Sequence, residues 1–245
     1  MKVFIASPFS NPTCTSDYAV SLVALTQVLS KAHIPFEYYT VISSDIVLNR
    51  NVAAHRFLAD PDATHLVMLD TDMRIENRVF QHFLDSGHPF MGAVYSRRKI
   101  NLQKFHEMAQ AGKDAATAKA LASDFIVEFP STTVSFANHF TPVSGIGFGC
   151  VMIARAVFEE LIEQGLAPLI TDRMSEQFGI GDTYHDFFRI NRRDDGSYES
   201  EDIAFCRRTL QTQKFDIMGY IGPGVYHTGQ FHYSTAYDLV LKDLM

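Results

Sequence analysis

The segment His65–Leu69 reads HLVML: four consecutive apolar side chains follow its histidine, and Asp70-Thr71-Asp72 ends it. Successive side chains of a strand point to opposite faces, so a strand this uniformly apolar must be covered on both sides. A central strand of an open sheet, with helices above and below, meets that demand. The flanking sequence supplies the other parts. Val3–Ser7, Phe36–Ile42 and Phe90–Tyr95 read as further strands, the last ending in the basic turn Ser96-Arg97-Arg98-Lys99. Leu22, Leu25 and Leu29 predict a helix from about Asp17 to Ala32. A second helix is expected over Asp45–Leu58, and Val79, Phe80, Phe83 and Leu84 form the stripe of a third. Alternation of this kind predicts an α/β fold with a mixed, Rossmann-like central sheet flanked by helices.

In the second half, Ser144-Gly145-Ile146-Gly147-Phe148-Gly149 leads into the strand-like CVMIA, and Val157, Phe158, Leu161 and Ile162 mark a helix. Ser200–Gln211 is expected to be helical with Ile203, Cys206 and Leu210 inward, and Phe215–Tyr220 is the last strand. Residues 100–140 hold a short helix and the β-like FIVEF; residues 172–198 read as a long polar loop, a kind that is usually functional or mobile. No Pro/Gly/Ser-rich linker divides the 245 residues, so one domain is expected over 1–245, with halves of about 1–100 and 101–245.

A net charge of -7 argues against bulk nucleic-acid binding, although a local anion site is compatible with it. No apolar run reaches the roughly 18 residues of a membrane span, and MKVFIASPFSNP reads as a first strand in place of a signal peptide. Three widely spaced cysteines (Cys14, Cys150, Cys206) without a CxxC pair suit a reduced, cytoplasmic protein. Cys150 and Cys206 fall in apolar patterns and are expected to be packing residues. Neither a GxSxG elbow nor a Walker A loop is present.

Two carboxylates at i and i+2 on an extended segment project to one side, here at the carboxyl end of a central strand, where open α/β sheets bind ligands. Hard carboxylate oxygens suit Mg2+ or Mn2+. By residue pattern alone the same DTD is also a solvated turn or helix cap. SxED at 200–202 is equally a helix amino-terminal pattern, with carboxylates favoured in the first turn. His227 is one of ten histidines, and a lone histidine is more often structural than a ligand. Gly145, Gly147 and Gly149 permit either close backbone approach to a ligand or a bend in a strand. Arg97 and Arg98 are as compatible with a solvated turn as with a phosphate, and Arg207 and Arg208 are expected at the surface or in salt bridges.

HLVMLDTDM resembles the DxD segment of GT-A glycosyltransferases, and further elements similar to that superfamily's core follow in order: SGIGFGCVMIAR at 144–155, Ser200-Glu201-Asp202 as an xED-like motif, and His227 in VYHTGQF. LNRNVAAHRFL resembles the helix that brings an arginine to the donor diphosphate. The likeness runs from the first strand to residue 233, but residues 100–140 and 172–198 match nothing in it. It implies a single GT-A-type domain that transfers sugar from a nucleotide-diphosphate sugar (UDP or GDP) with Mn2+ or Mg2+. The first half would bind the nucleotide, and the second a glycan, lipid-linked or protein acceptor. In detail, it implies metal ligation by Asp72 and His227, with Asp70 assisting through metal or donor sugar. Asp202 would be the general base with Glu201 in reserve, Ser7 and Pro8 would line the nucleotide site, Arg50 would approach the diphosphate, and Gly147 would lie beside donor and acceptor. Inversion at the anomeric carbon is favoured, because a base stands in the xED position. The inner face of the membrane is an alternative location to the bulk cytoplasm. His232 is set aside as structural. The rivals are a sugar-1-phosphate nucleotidyltransferase, disfavoured because SPFSNPTCTS replaces the glycine- and arginine-rich loop after strand one, and a catalytically silent nucleotide-sugar-binding module.

Overall fold

A computed structural model describes residues 1–132, 135–193 and 195–229. Its centre is a seven-stranded mixed sheet: β1 (Val3–Phe9), β2 (Phe36–Ile42), β3 (His65–Leu69), β4 (Phe90–Ala93), β5 (Phe140–Val143), β6 (Cys150–Ala154) and β7 (Ile217–Tyr220). The order is β2-β1-β3-β6-β4-β7-β5. Strands β2, β1 and β3 are parallel, β6 runs antiparallel between β3 and β4, β7 is parallel to β4, and β5 is antiparallel at the edge. The expectation for HLVML holds in detail. Leu66 and Met68 enter one core, Val67 and Leu69 the other, and all four are buried. Helices α1 (Ser16–Lys31) and α3 (Asn77–Ser86) cover the second core through Leu25, Leu29, Phe80 and Phe83. The first core is closed by α2 (Ile46–Ala59), by α6 (Arg155–Glu163) and by α7 (Glu201–Gln211). Thr15 caps α1 by accepting from the Tyr18 amide, and Asp45 caps α2 by accepting from Leu48.

Between β4 and β5 the chain makes an excursion through α4 (Leu102–Gln110) and α5 (Ala115–Leu121). The segment expected to be a basic turn is instead a strand, Ser96–Ile100, paired with Ser123–Phe125, so the excursion leaves and returns as a ribbon. Residues 172–198 are likewise more ordered than the expected loop. Leu169–Thr171 pairs with Thr183–His185, a 3-10 turn spans Arg173–Phe178, and Asn191–Arg192 pairs with Tyr198–Glu199. Their strands are two or three residues long, too short for a period-two pattern to register. Among the described residues no helix is long and apolar enough to cross a membrane.

Candidate functional site

The carboxyl ends of β1 and β3 open onto a small cleft of ≈ 160 Å³, walled by Pro8 and Ser10 after β1, Ser43 and Ser44 after β2, Asn49 of α2, and Asp70, Thr71 and Asp72 after β3. The last strand contact, Asp70 N to Gly149 O at 2.9 Å, is followed at once by a turn in which Met73 N donates to Asp70 O. The DTD segment is thus bent where extended backbone was expected. The Thr71 carbonyl holds the bend by accepting from both the amide and the hydroxyl of Thr15.

Bending sends the two carboxylates to different partners. Asp70 faces Arg50, whose Nη2 lies 3.2 and 3.3 Å from its two oxygens, while Arg50 Nε donates to Glu201 Oε1 at 3.3 Å. This guanidinium is 3% exposed and also meets Met68 Sδ and the face of Phe148. Arg50 is therefore a buried clasp between the end of β3 and α7, its guanidinium bonded to Asp70 and Glu201. Burial pushes the Asp70 carboxyl above its ordinary range; Arg50 opposes this, and Asp72 adds to it.

Asp72 turns the other way. Residues Val225–His227 form a strand antiparallel to Met73–Ile75, with His227 opposite Met73, and Thr228 N donates to Asp72 O at 2.8 Å. That pairing sets His227 Nε2 3.2 Å from Asp72 Oδ2. The opposite ring nitrogen, Nδ1, lies 2.9 Å from the Ser96 carbonyl. A carbonyl only accepts, so Nδ1 must carry the hydrogen, and in the neutral ring Nε2 presents a lone pair to a carboxylate. Two acceptors this close need a cation between them, a proton or a metal. In the protein alone a proton serves. Burial pulls the His227 ring down, but the bonds to Asp72 and Ser96 outweigh it and hold it above its ordinary value. For Asp72, burial pushes up, yet the His227 bond and then the His227 and Arg98 charges leave it below its ordinary value. Arg98 Nη1 donates to the same Oδ2 at 2.8 Å from a side chain that is 54% exposed. Tyr95 packs edge-on against the imidazole.

Two divalent-metal bonds of about 2.1 Å at a right angle separate their ligand atoms by about 3.0 Å, so the Asp72–His227 spacing fits such an ion. Among the described residues no three His, Cys, Asp or Glu side chains converge on one point. A cation here would have two protein ligands and would need phosphate and water oxygens for the rest, the usual situation of Mg2+ bound with a nucleotide.

Glu201 and Asp202 occupy the first turn of α7, after Ser200. Glu201 is held by Arg50. Asp202 Oδ1 accepts from the Ser200 hydroxyl and from the Ile203 amide, and its charge is felt at both Arg50 and Tyr95. Asp70, Glu201, Asp202, Arg50 and Tyr95 therefore form one electrostatic cluster, with Asp72, His227 and Arg98 beside it.

Other expectations are displaced. Ser7 is fully buried and accepts from the Tyr18 hydroxyl, so it does not line the cleft; Pro8 does. A Cβ at Gly147 would lie 2.5 Å from the Tyr95 hydroxyl, and one at Gly149 2.8 Å from the Tyr95 ring. These glycines make room for Tyr95, a residue of the chain itself, where a ligand was expected. Arg208, expected at the surface, is 3% exposed and donates to the carbonyls of Phe187 and Arg189. Arg207 does form salt bridges, to Glu199 and Glu128. His232 lies outside the described residues. Sequence reasoning missed Asn49, which has no charge or motif to signal it. Its Nδ2 donates to the carbonyls of Phe9 and Ser43, which fixes the amide orientation, and its buried Oδ1 is left without a partner at the cleft wall.

No family model matches the chain, and no curated protein does. Several solved structures are similar to it. A197 from STIV is 16% identical over 94% of this chain and 87% of that one, with a TM-score of 0.47. The inositol-1-phosphate CTP transferase from T. maritima is 8% identical over 99% and 96%, with a TM-score of 0.43. TarS 1-349 from S. aureus, solved in complex with UDP-GlcNAc, is 12% identical over 97% of this chain and 62% of its own, with a TM-score of 0.43. Likenesses this distant carry no argument about activity.

Proposed function

We propose that the chain is a metal-dependent glycosyltransferase of the GT-A type, taking a UDP- or GDP-sugar as donor and a glycan, lipid-linked or protein hydroxyl as acceptor. The observation that carries this reading is the facing pair Asp72 Oδ2 and His227 Nε2, 3.2 Å apart, with Nδ1–H committed to a backbone carbonyl. Metal-binding histidines are held in this way, the second nitrogen fixed by a backbone or carboxylate acceptor. Asp72 and His227 would hold Mn2+ or Mg2+, which supplies Lewis-acid neutralisation of the departing diphosphate. Arg98, exposed and already at Asp72, adds positive charge at the same place. Asn49 Oδ1 offers an acceptor to a donor group of the nucleotide, in the cleft that Pro8, Ser43 and Ser44 complete. Asp202 takes the proton as the acceptor oxygen bonds to the anomeric carbon and the bond from that carbon to the diphosphate oxygen breaks. Arg50 fixes Asp70 and Glu201 around this centre, which leaves Asp202 as the base and makes inversion the favoured outcome.

Thermal unfolding with UDP or GDP, each with and without Mn2+, tests the reading on the natural sequence and on His227→Ala. Ligand at about 100 times Kd stabilises by about 2.7 kcal/mol, or roughly 5–10 °C for a domain of this size. A shift that requires both nucleotide and metal, and disappears in His227→Ala, is expected. Absence of any shift with either nucleotide and metal, or a metal-independent shift that survives His227→Ala, overturns the reading.

A further inference from the structure

Between α3 and the edge strand β5 lies a second cavity of ≈ 680 Å³, a volume typical of a small-molecule site. Four strand spacings of about 4.8 Å separate β3 from β5, so it stands on the order of 20 Å from the Asp70–Asp72 cleft. His82, Asp85 and His88 line it from α3 and the turn that follows; Phe136, Asn138 and His139 line it from the segment before β5. Ala137 and Phe140 exchange backbone hydrogen bonds of 2.9 and 2.8 Å, closing a two-residue turn at Asn138-His139. Both turn residues have left-handed backbones, φ 49° and 69°. Glycine is the usual occupant of the second such position, so His139 is held there against a backbone preference. Strain of this kind persists where the surroundings fix it, and it collects at binding sites. The turn sets the His139 ring 5.2 Å from that of His82 and 5.9 Å from that of Tyr220, centroid to centroid. Beside it Phe136 is 68% exposed, the most exposed large apolar side chain among the described residues. The polar groups around the cavity are uncommitted. The ring nitrogens of His82, His88 and His139 and the Asn138 amide have no hydrogen-bond partner among the described residues. Asp85 Oδ1 accepts from Gln81 Nε2, which leaves Oδ2 free.

We infer that this cavity binds a neutral carbohydrate, at a site separate from the Asp72–His227 pair and independent of the glycosyltransferase reading. A pyranose ring has an apolar C–H face and a rim of hydroxyls, each of them both donor and acceptor. Phe136 offers the face a flat, uncovered aromatic surface. The rim needs partners that also donate and accept. An imidazole in its neutral form carries one donor and one acceptor, and the Asn138 amide carries both kinds. Other ligand classes fit less well. Among the described residues no lysine or arginine lines the cavity, so a phosphate or carboxylate would meet the Asp85 carboxylate without a guanidinium or ammonium to offset it. A wholly apolar ligand would desolvate three imidazoles and an amide and leave them unpaired.

Isothermal titration with maltotetraose, cellotetraose, mannotetraose and tetra-N-acetylchitotetraose reads the cavity without any transfer reaction. These neutral chains differ in linkage, epimer and N-acetylation. The proteins compared are the natural sequence, Phe136→Ala, Phe136→Trp, His139→Gly and His227→Ala. Phe136 is exposed, and glycine adopts the φ of residue 139 freely, so both truncations should fold; thermal unfolding checks this. Binding of at least one tetrasaccharide is expected. Loss of the aromatic surface in Phe136→Ala should weaken it about two- to tenfold, and loss of the imidazole in His139→Gly by a similar factor. Phe136→Trp should keep the affinity or raise it, and His227→Ala should leave it unchanged. If no tetrasaccharide binds the natural sequence, or if one binds Phe136→Ala and His139→Gly as tightly, the inference is refuted. Binding lost in His227→Ala would place the sugar at Asp72 and refutes it as well. A titration with Zn2+ alone covers the remaining use of the imidazoles: metal binding that disappears in His139→Gly, with all four sugars silent, would make this a metal site instead. UDP and GDP titrations with Mn2+ on the same proteins bear only on the transfer centre, so either claim can fail while the other stands.

Discussion

Replacing Arg50 with methionine is the most informative single perturbation of the site's frame. Methionine keeps most of the aliphatic stem but removes the guanidinium between Asp70 and Glu201. These side chains are only 25% and 14% exposed, so both carboxylates lose their counter-charge in a largely desolvated setting. Removing one partner of a buried ion pair costs about 3–5 kcal/mol; partial exposure of Asp70 places the expected loss near the lower end, about 3 kcal/mol. For a chain of this length that is a fall in Tm of roughly 6–12 °C at pH 7. The loss should depend on pH in a defined direction. Asp70 already has a folded-state pKa above its ordinary value, and without the opposing charge of Arg50 it rises further. The folded variant then binds more protons than the unfolded chain, so its stability increases as pH falls toward the ordinary carboxylate range and declines as pH rises. Urea unfolding at pH 7 and pH 5 measures both effects, and the gap between variant and natural sequence should narrow at pH 5. A loss below about 1 kcal/mol, or a gap unchanged between the two pH values, would show that Arg50 does not hold the two carboxylates as described.

Asp202→Asn should reduce transfer by about 100- to 10,000-fold while leaving metal-dependent nucleotide binding intact; unchanged turnover in a coupled assay of nucleoside diphosphate release would remove Asp202 as the base. His227→Asn should flatten the stability profile of the metal-free protein near neutrality. His227 is raised, so its contribution is full below its ordinary value and fades as pH rises through the folded value, whereas that of the lowered Asp72 fades only as pH falls through its depressed value. Thermal scans from pH 5 to 9 report this, and an unaltered slope would count against the pair. Gly147→Ala should cost about 1–3 kcal/mol through contact with the Tyr95 hydroxyl, with part regained in Gly147→Ala/Tyr95→Phe; a neutral effect in urea unfolding would mean that this space is open.

Local pattern made much of this architecture legible. The strand Phe36–Ile42 and the strand His65–Leu69 have their expected bounds, and α1, α2 and α7 begin within a residue of the positions that their caps and stripes mark. Burial on both faces follows from composition alone in β3. What depends on partners distant in the chain was not legible. Arg50 carries the same charge whether it faces solvent or two carboxylates, and only the placement of Met68, Phe148 and Glu201 around it decides the matter. The inward turn of Arg208 follows from carbonyls at Phe187 and Arg189, in a segment whose strands are too short to show a period. Gly147 and Gly149 were legible as positions needing space, but the sequence could not say that a tyrosine from the end of β4 fills it.

The pairing of Val225–His227 with Met73–Ile75 joins residues 72 and 227 across 155 positions of sequence. A chain emerging from the ribosome exposes the segments of β1, β3 and the cleft walls long before that ribbon can close, so the Asp72–His227 contact forms late in synthesis. A premature stop in the loop between β7 and Val225 would keep all seven strands of the sheet yet take His227 from Asp72, which would be left with Arg98. Such a product would lack the Asp72–His227 contact while keeping the strands that build the sheet.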